Sequence, residues 1–158
     1  MIKTTYTVYD IANYFLSKES MEQKKLQKLC YYAQAWSFAL LNRPIIDGEF
    51  EAWVHGPVNR TLWNDLRDYG YVPIEKARYA ERADKISDPE SLQLLESVWT
   101  TYGEYTGWQL ERLTHTETPW LDAREGYSEF QPSREKIKPA VMQRYYRSIM
   151  ASEDGVGE

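Results

Sequence analysis

At 158 residues, with a net charge of −5 and one cysteine, the chain has the size of a single domain and a core that needs neither a disulfide nor a metal. The lone cysteine can form no internal disulfide and the start, MIKTTYTVYDIANYF, lacks an apolar leader core, so secretion is disfavoured and a cytoplasmic protein is expected. The apolar run at residues 38–41 falls far short of the ~18 residues of a membrane span, and a near-neutral body with acids gathered at Glu153, Asp154 and Glu158 offers no basic stripe for nucleic acid.

Thr7 is placed to cap a helix over residues 8–18, with Val8, Ile11, Ala12 and Phe15 as its apolar stripe and Asp10 suited to the helix dipole. A short link at 17–20 makes the next helix its neighbour in space. That next stretch, SMEQKKLQKLCYYAQAWSFALL at 20–41, is the long helix around which the chain is organised. Leu26, Leu29, Ala33, Trp36, Ser37 and Leu40 recur at three- and four-residue steps, Ser20 and Gln23 have capping-box spacing, and no Gly or Pro intervenes before Pro44. Tyr31, Tyr32 and Phe38 make a second side aromatic, and a helix apolar on more than one side is usually covered on more than one.

Arg43-Pro44 ends the helix and Asp47-Gly48 signals a turn, so residues 44–46 and 50–54 are expected to pair as a small ribbon packed on the helices. Gly56-Pro57 is predicted to open a further helix with Val58, Leu62, Leu66 and Tyr69 as its stripe and Gly70 as its C-terminal cap. The charged stretch 71–86 reads as loop. Asp88 and Pro89 then start a helix through Leu92, Leu95, Val98 or Trp99 and Tyr102, ending before Gly103. Thr106 with Gln109 caps a short helix to about residue 114, Thr118-Pro119 caps and begins a turn or two at 119–124, and 126–133 is loop. Lys138-Pro139 opens the last helix, with Met142, Tyr145, Tyr146 and Ile149 on its apolar face. The expected fold is mostly α: a single compact helical domain around a long central helix, with at most a small two-stranded β ribbon.

The run KLQKLCYYAQAWSFALLNRPIIDGEFEAWVHGPV resembles the opening motif of the Panacea domain, the domain of the SocA antitoxins, and LTHTETPWLDAR resembles its second signature. The resemblance spans roughly residues 8–150, which leaves 1–150 as the helical domain and 151–158 as a disordered acidic tail. It implies binding rather than catalysis, with a cognate protein toxin as partner, often in phage- or prophage-associated settings. An alternative it also implies is an adaptor that hands the toxin to an AAA+ protease. Some members carry a DNA-binding domain ahead of the motif. Here the first matched helix begins near Val8, so nucleic-acid binding by this chain alone is not expected.

The residues themselves carry little catalytic chemistry. Cys30 lies beside the apolar stripe, with only His55 and His115 as candidate bases, and reads as a small buried hydrophobe. One Cys and two distant His give no zinc spacing, so neither metal nor cofactor is expected. Both His precede or follow helix boundaries, where an imidazole commonly ties down backbone; an enzyme using either one is the least favoured reading, and it would need a pocket in which a His meets a carboxylate. Glu117, Thr118, Pro119 and Trp120 read as a packed corner, with Arg124 placed to pair with Glu117. Lys24, Lys25 and Lys28, like Arg78, Arg82 and Lys85, read as solvated basic faces. Core filling must account for most of the 13 Tyr and 6 Trp, but the aromatic side of the central helix and segment 50–63 hold more large side chains than one core face absorbs. The expected partner-binding residues are therefore Tyr31, Tyr32 and Phe38 on the central helix and Trp53, His55 and Trp63 in segment 50–63. Leu26, Leu29, Ala33, Trp36, Gly56, Pro57, His115, Pro119 and Trp120 are read as structural parts of the two motifs.

Overall fold

The computed structural model describes residues 2–156. In chain order it contains α1 (Val8–Lys18), α2 (Gln23–Leu41), β1 (Glu51–Trp53), β2 (Gly56–Val58), α3 (Arg60–Leu66) with a 3₁₀ turn at Arg67–Tyr69, α4 (Pro89–Tyr102), α5 (Gly107–His115), α6 (Thr118–Ala123) and α7 (Pro139–Val156). The fold is mostly helical, with one two-stranded antiparallel ribbon among the described residues. Helix α2 is the hub: α7, α4 and α5 pack on it most extensively, and α1, α3 and β2 complete the cover. Leu26, Leu29, Cys30 and Ala33 are wholly buried in it.

Local signals hold where both partners lie within one turn of each other. Thr7 and Asp10 form a full capping box on α1, as do Thr106 and Gln109 on α5, and Asp88 accepts the Ser91 N–H ahead of Pro89. The Ser20–Gln23 box does not form. Helix α2 starts two residues later than that spacing implies, without a side-chain cap. The Ser20 hydroxyl donates to the Ile74 carbonyl at 2.6 Å, the Gln23 amide donates to the Gly70 carbonyl at 3.0 Å, and Met21 bridges to Ile74. The loop at 71–86 thus claims the polar groups that would have closed the box.

Several placements differ from the sequence reading. Tyr31 and Tyr32 are buried, because α7 and α4 lie against the side of α2 that carries them. The Tyr31 and Tyr146 hydroxyls meet at 3.1 Å, Tyr102 stacks flat on Tyr32 at 4.0 Å, and Tyr32 and Tyr146 both donate to Glu117, at 2.8 and 2.9 Å. Phe38 and Trp36 are half-buried against the same core, and the Trp36 indole donates to Tyr102. Leu40, expected inside, is 49% exposed, and Leu92 is also at the surface. Glu117 pairs with tyrosines rather than with Arg124, and burial pushes its carboxyl up to about 7. Thr118 is the first residue of α6 rather than its cap. Lys28 is buried rather than solvated, while Arg78 pairs with Asp65 and Arg82 lies over the Tyr9 ring. Positions 151–156, read as tail, continue α7, which meets no breaker before Gly155; residues 157–158 lie outside the described residues.

The ribbon also pairs differently. Residues 44–46 have other partners: Ile46 bridges in parallel to Tyr6, and the Gln34 side chain accepts from the Ile45 and Ile46 N–H groups. Strand β1 pairs instead with β2, Glu51 opposite Val58 and Trp53 opposite Gly56, so Gly56 and Pro57 are strand residues rather than a helix start. Asn59 takes over as the cap of α3 by accepting the Leu62 N–H. The outer edge of β1 is covered by 135–137, through Ala52 N–H to Glu135 and Ile137 N–H to Phe50, which removes the marginality of an isolated hairpin.

Candidate partner-binding surface

The β1–β2 hairpin is held from behind by side chains that grip its backbone. The Trp120 indole donates to the Trp53 carbonyl at 2.8 Å. Buried Arg124 donates to the carbonyls of Ala52, Ser128 and Gln131 at 2.9, 3.1 and 2.6 Å, tying the hairpin to the loop before α7. From α2, the Lys28 ammonium donates to Pro57 at 3.2 Å, and the Gln27 side chain both donates to the Asn59 carbonyl and accepts its N–H. Gly56 adopts φ +106, and a Cβ there would lie 2.6 Å from Lys28 Cε, so only glycine lets the hairpin close over the lysine. His115 stacks on Trp120 at 4.1 Å behind this platform, while Pro119 is buried in the same corner.

Electrostatics behind the hairpin follow from burial. Burial drives the Lys28 amine down to about 7, against the raising influence of Glu111. Burial alone would raise Glu111, yet Lys24 at 2.7 Å and His55 at 3.3 Å outweigh it and hold the carboxyl below its ordinary value. Burial lowers His115, whose Nε2 is enclosed without a hydrogen-bond partner, so its imidazole is held neutral. Burial also raises the Cys30 thiol, which removes it as a nucleophile.

The outer side of the platform carries large side chains that are only partly covered. Trp53 and Trp63 meet edge to face at 5.1 Å, and Arg67 lies over the Trp63 ring at 5.7 Å. His55 sits at the hairpin turn and is 73% exposed on its side chain. The tryptophan pair forms a wall between two depressions. One, of about 850 Å³, is lined by Arg60, Arg67 and Arg134 beside the tryptophans; the other, of about 420 Å³, runs past Lys24, Val58 and Tyr71. Of the six residues expected to bind a partner, Trp53, His55 and Trp63 are thus brought together here. Tyr31 and Tyr32 are enclosed in the core, and Phe38 packs far along α2 beside α7.

The sequence reading missed the arginines. Arg60, Trp63 and Arg67 stand three and four residues apart, which places them on one face of α3 and its continuation, a spacing visible in the sequence. No comparable signal marks Arg134, which arrives from the loop before α7. Among the described residues no group of His, Cys, Asp or Glu converges to hold a metal ion, and no helix is long and apolar enough to cross a membrane.

Residues 26–121 match the family model described as "Antitoxin SocA-like, Panacea domain". The chain is similar to "Antitoxin SocA" of Caulobacter vibrioides (strain NA1000 / CB15N), 28% identical over 124 residues that cover 70% of this chain and 66% of that relative, just under two thirds of its length. No solved structure matches the chain at a significant level.

Proposed function

Because the chain belongs to the SocA-like antitoxin family that carries the Panacea domain, we propose that it neutralises a cognate protein toxin by binding it directly through the outer face of the β1–β2 hairpin and α3. The observation that carries this reading is the Trp53–Trp63 pair, large and partly uncovered, on a backbone pinned by Trp120, Arg124 and Lys28. Rigid, amphipathic aromatics in a polar rim are the side chains that dominate protein interfaces, and a pre-held backbone loses little freedom on binding. His55 lies at the rim of this face, and the two depressions beside the tryptophans give a partner's side chains somewhere to go.

The reading is non-enzymatic. A His–carboxylate contact does exist, His55 with Glu111, but the imidazole is 73% exposed at the hairpin turn, the carboxylate is already paired with Lys24, and Cys30 is sealed in the core. The test is co-expression with the product of the neighbouring gene, scored by growth rescue. Trp63→Ala is expected to abolish rescue with the melting temperature held, since truncating an interface anchor costs about 2 kcal/mol or more of binding. His55→Ala that loses rescue while the toxin still binds would return an enzymatic role. Toxin levels followed in the same cells separate blocking, in which toxin persists in complex, from delivery to an AAA+ protease, in which it disappears.

A further inference from the structure

We infer that the depression beside the tryptophan pair is built for an acidic segment of the toxin, in which carboxylates flank an apolar or aromatic side chain. This rests on the hairpin–α3 face being the binding surface, and it adds the chemistry of what binds there. The depression is lined by Arg60, Arg67 and Arg134 and by no carboxylate that reaches its surface uncompensated. Glu51, buried beneath, is already taken by Arg60 at 2.6 Å and by the Trp53 indole at 2.8 Å. Among the described residues Arg67 and Arg134 form no ion pair, and both side chains are exposed. In a chain of net charge −5, three guanidinium groups around one depression with no acid in its lining, two of them unpaired and beside a Trp wall, are a local inversion of sign. Guanidinium recognises carboxylate through paired N–H donors, and the indole faces supply the apolar contact such a segment needs to bind tightly.

A nucleic-acid backbone presents the same charge but fits the surroundings less well. The next depression, on the far side of Arg60, is lined by Asp47, Glu49 and Glu51 and by Lys136, and its two cations are already paired, Lys136 with Glu49 and Arg60 with Glu51. A strand of phosphates continuing from the arginines would find no free cation there among the described residues and would meet Asp47, whereas a short acidic segment of a folded protein ends before it. Binding to a phosphate backbone wants an extended basic stripe, and here the positive charge is a point.

The experiment uses the full chain and the purified toxin encoded by the neighbouring gene, titrated calorimetrically at 50 and 300 mM NaCl. The wild-type affinity is expected to fall by about tenfold between the two salts, as charge-assisted contacts are screened. Arg67→Glu/Arg134→Glu should weaken binding by about a hundredfold at low salt and flatten the salt dependence, while Arg67→Lys/Arg134→Lys keeps most of that dependence. Both residues are exposed, so an unchanged melting temperature is the control for folding. If Trp63→Ala abolishes binding while the charge reversal leaves affinity and salt slope intact, the acidic segment is refuted and the surface stands. If neither variant affects binding, the surface itself is wrong and the inference falls with it. A single-stranded RNA oligonucleotide that binds wild type at 150 mM salt, loses affinity on charge reversal, and does so with toxin binding unchanged would assign the arginines to nucleic acid and overturn the proposal.

Discussion

Glu117 gives the sharpest test of the core. It is a carboxyl enclosed between Tyr32 and Tyr146, and burial pushes it up to about 7 although both hydroxyls donate to it. A carboxyl whose pKa is higher folded than unfolded binds its proton more tightly in the folded state. Its contribution to stability is therefore complete below the unfolded value of 4.5 and is lost as pH rises through about 7. At 1.36 kcal/mol per pKa unit, the gap between those values corresponds to about 3 kcal/mol. Glu117→Gln removes the titration but retains a carbonyl to accept from the tyrosines. Other groups slope the other way: His115 and Lys28, both lowered by burial, favour the fold more as pH rises through their ranges. They are present in both proteins, so the difference between wild type and variant isolates Glu117. Urea unfolding followed by tryptophan fluorescence, from pH 4.5 to 8, should show wild type losing about 3 kcal/mol relative to Glu117→Gln across that span. Parallel stability curves would refute the buried, proton-binding carboxyl. A gap that widens toward acid would show that the sign is wrong.

Arg124→Ala removes the donors to Ala52, Ser128 and Gln131 in a buried corner, and a loss of about 3 kcal/mol is expected, read as a drop in the urea midpoint. Gly56→Ala meets both a disfavoured φ of +106 and the Lys28 side chain, and should lower the melting temperature by an amount equivalent to about 2 kcal/mol or more. In the double variant Gly56→Ala/Lys28→Ala the collision is gone and the backbone strain remains, so the two substitutions should cost less together than their separate effects added.

What could be read in the chain and what could not divides by range. Thr7 with Asp10, Asp88 with Pro89 and Thr106 with Gln109 are visible because each pair completes its bonds within one helical turn. Ser20 and Gln23 have the same spacing, but the loop at 71–86 supplies competing acceptors in Ile74 and Gly70, more than 45 positions away in each case. The pairing of β1 was misplaced for a similar reason, since Gln34 and Tyr6 had already satisfied residues 45–47. Tyr31 and Tyr32 look like surplus aromatics on a helix wheel; only the arrival of α7, more than a hundred residues later, makes them core. Trp53 and Trp63 were found because segment 50–63 holds more large side chains than one core face can absorb. The arginines around them went unread, because charge on a helix face looks the same whether it lines a depression or bulk water.

The grip on the hairpin is almost entirely a grip on main-chain carbonyls. Trp120 holds Trp53, Arg124 holds Ala52 and Lys28 holds Pro57, each by an oxygen that every amino acid possesses. The bearing that fixes the loop in place is accordingly indifferent to most of what the loop displays. Side chains at 53, 54 and 55 can be exchanged without unfastening it, provided Gly56 keeps its turn. A fold arranged in this way can change its outward lettering alone, with α2 and the α5–α6 corner serving as a fixed mount.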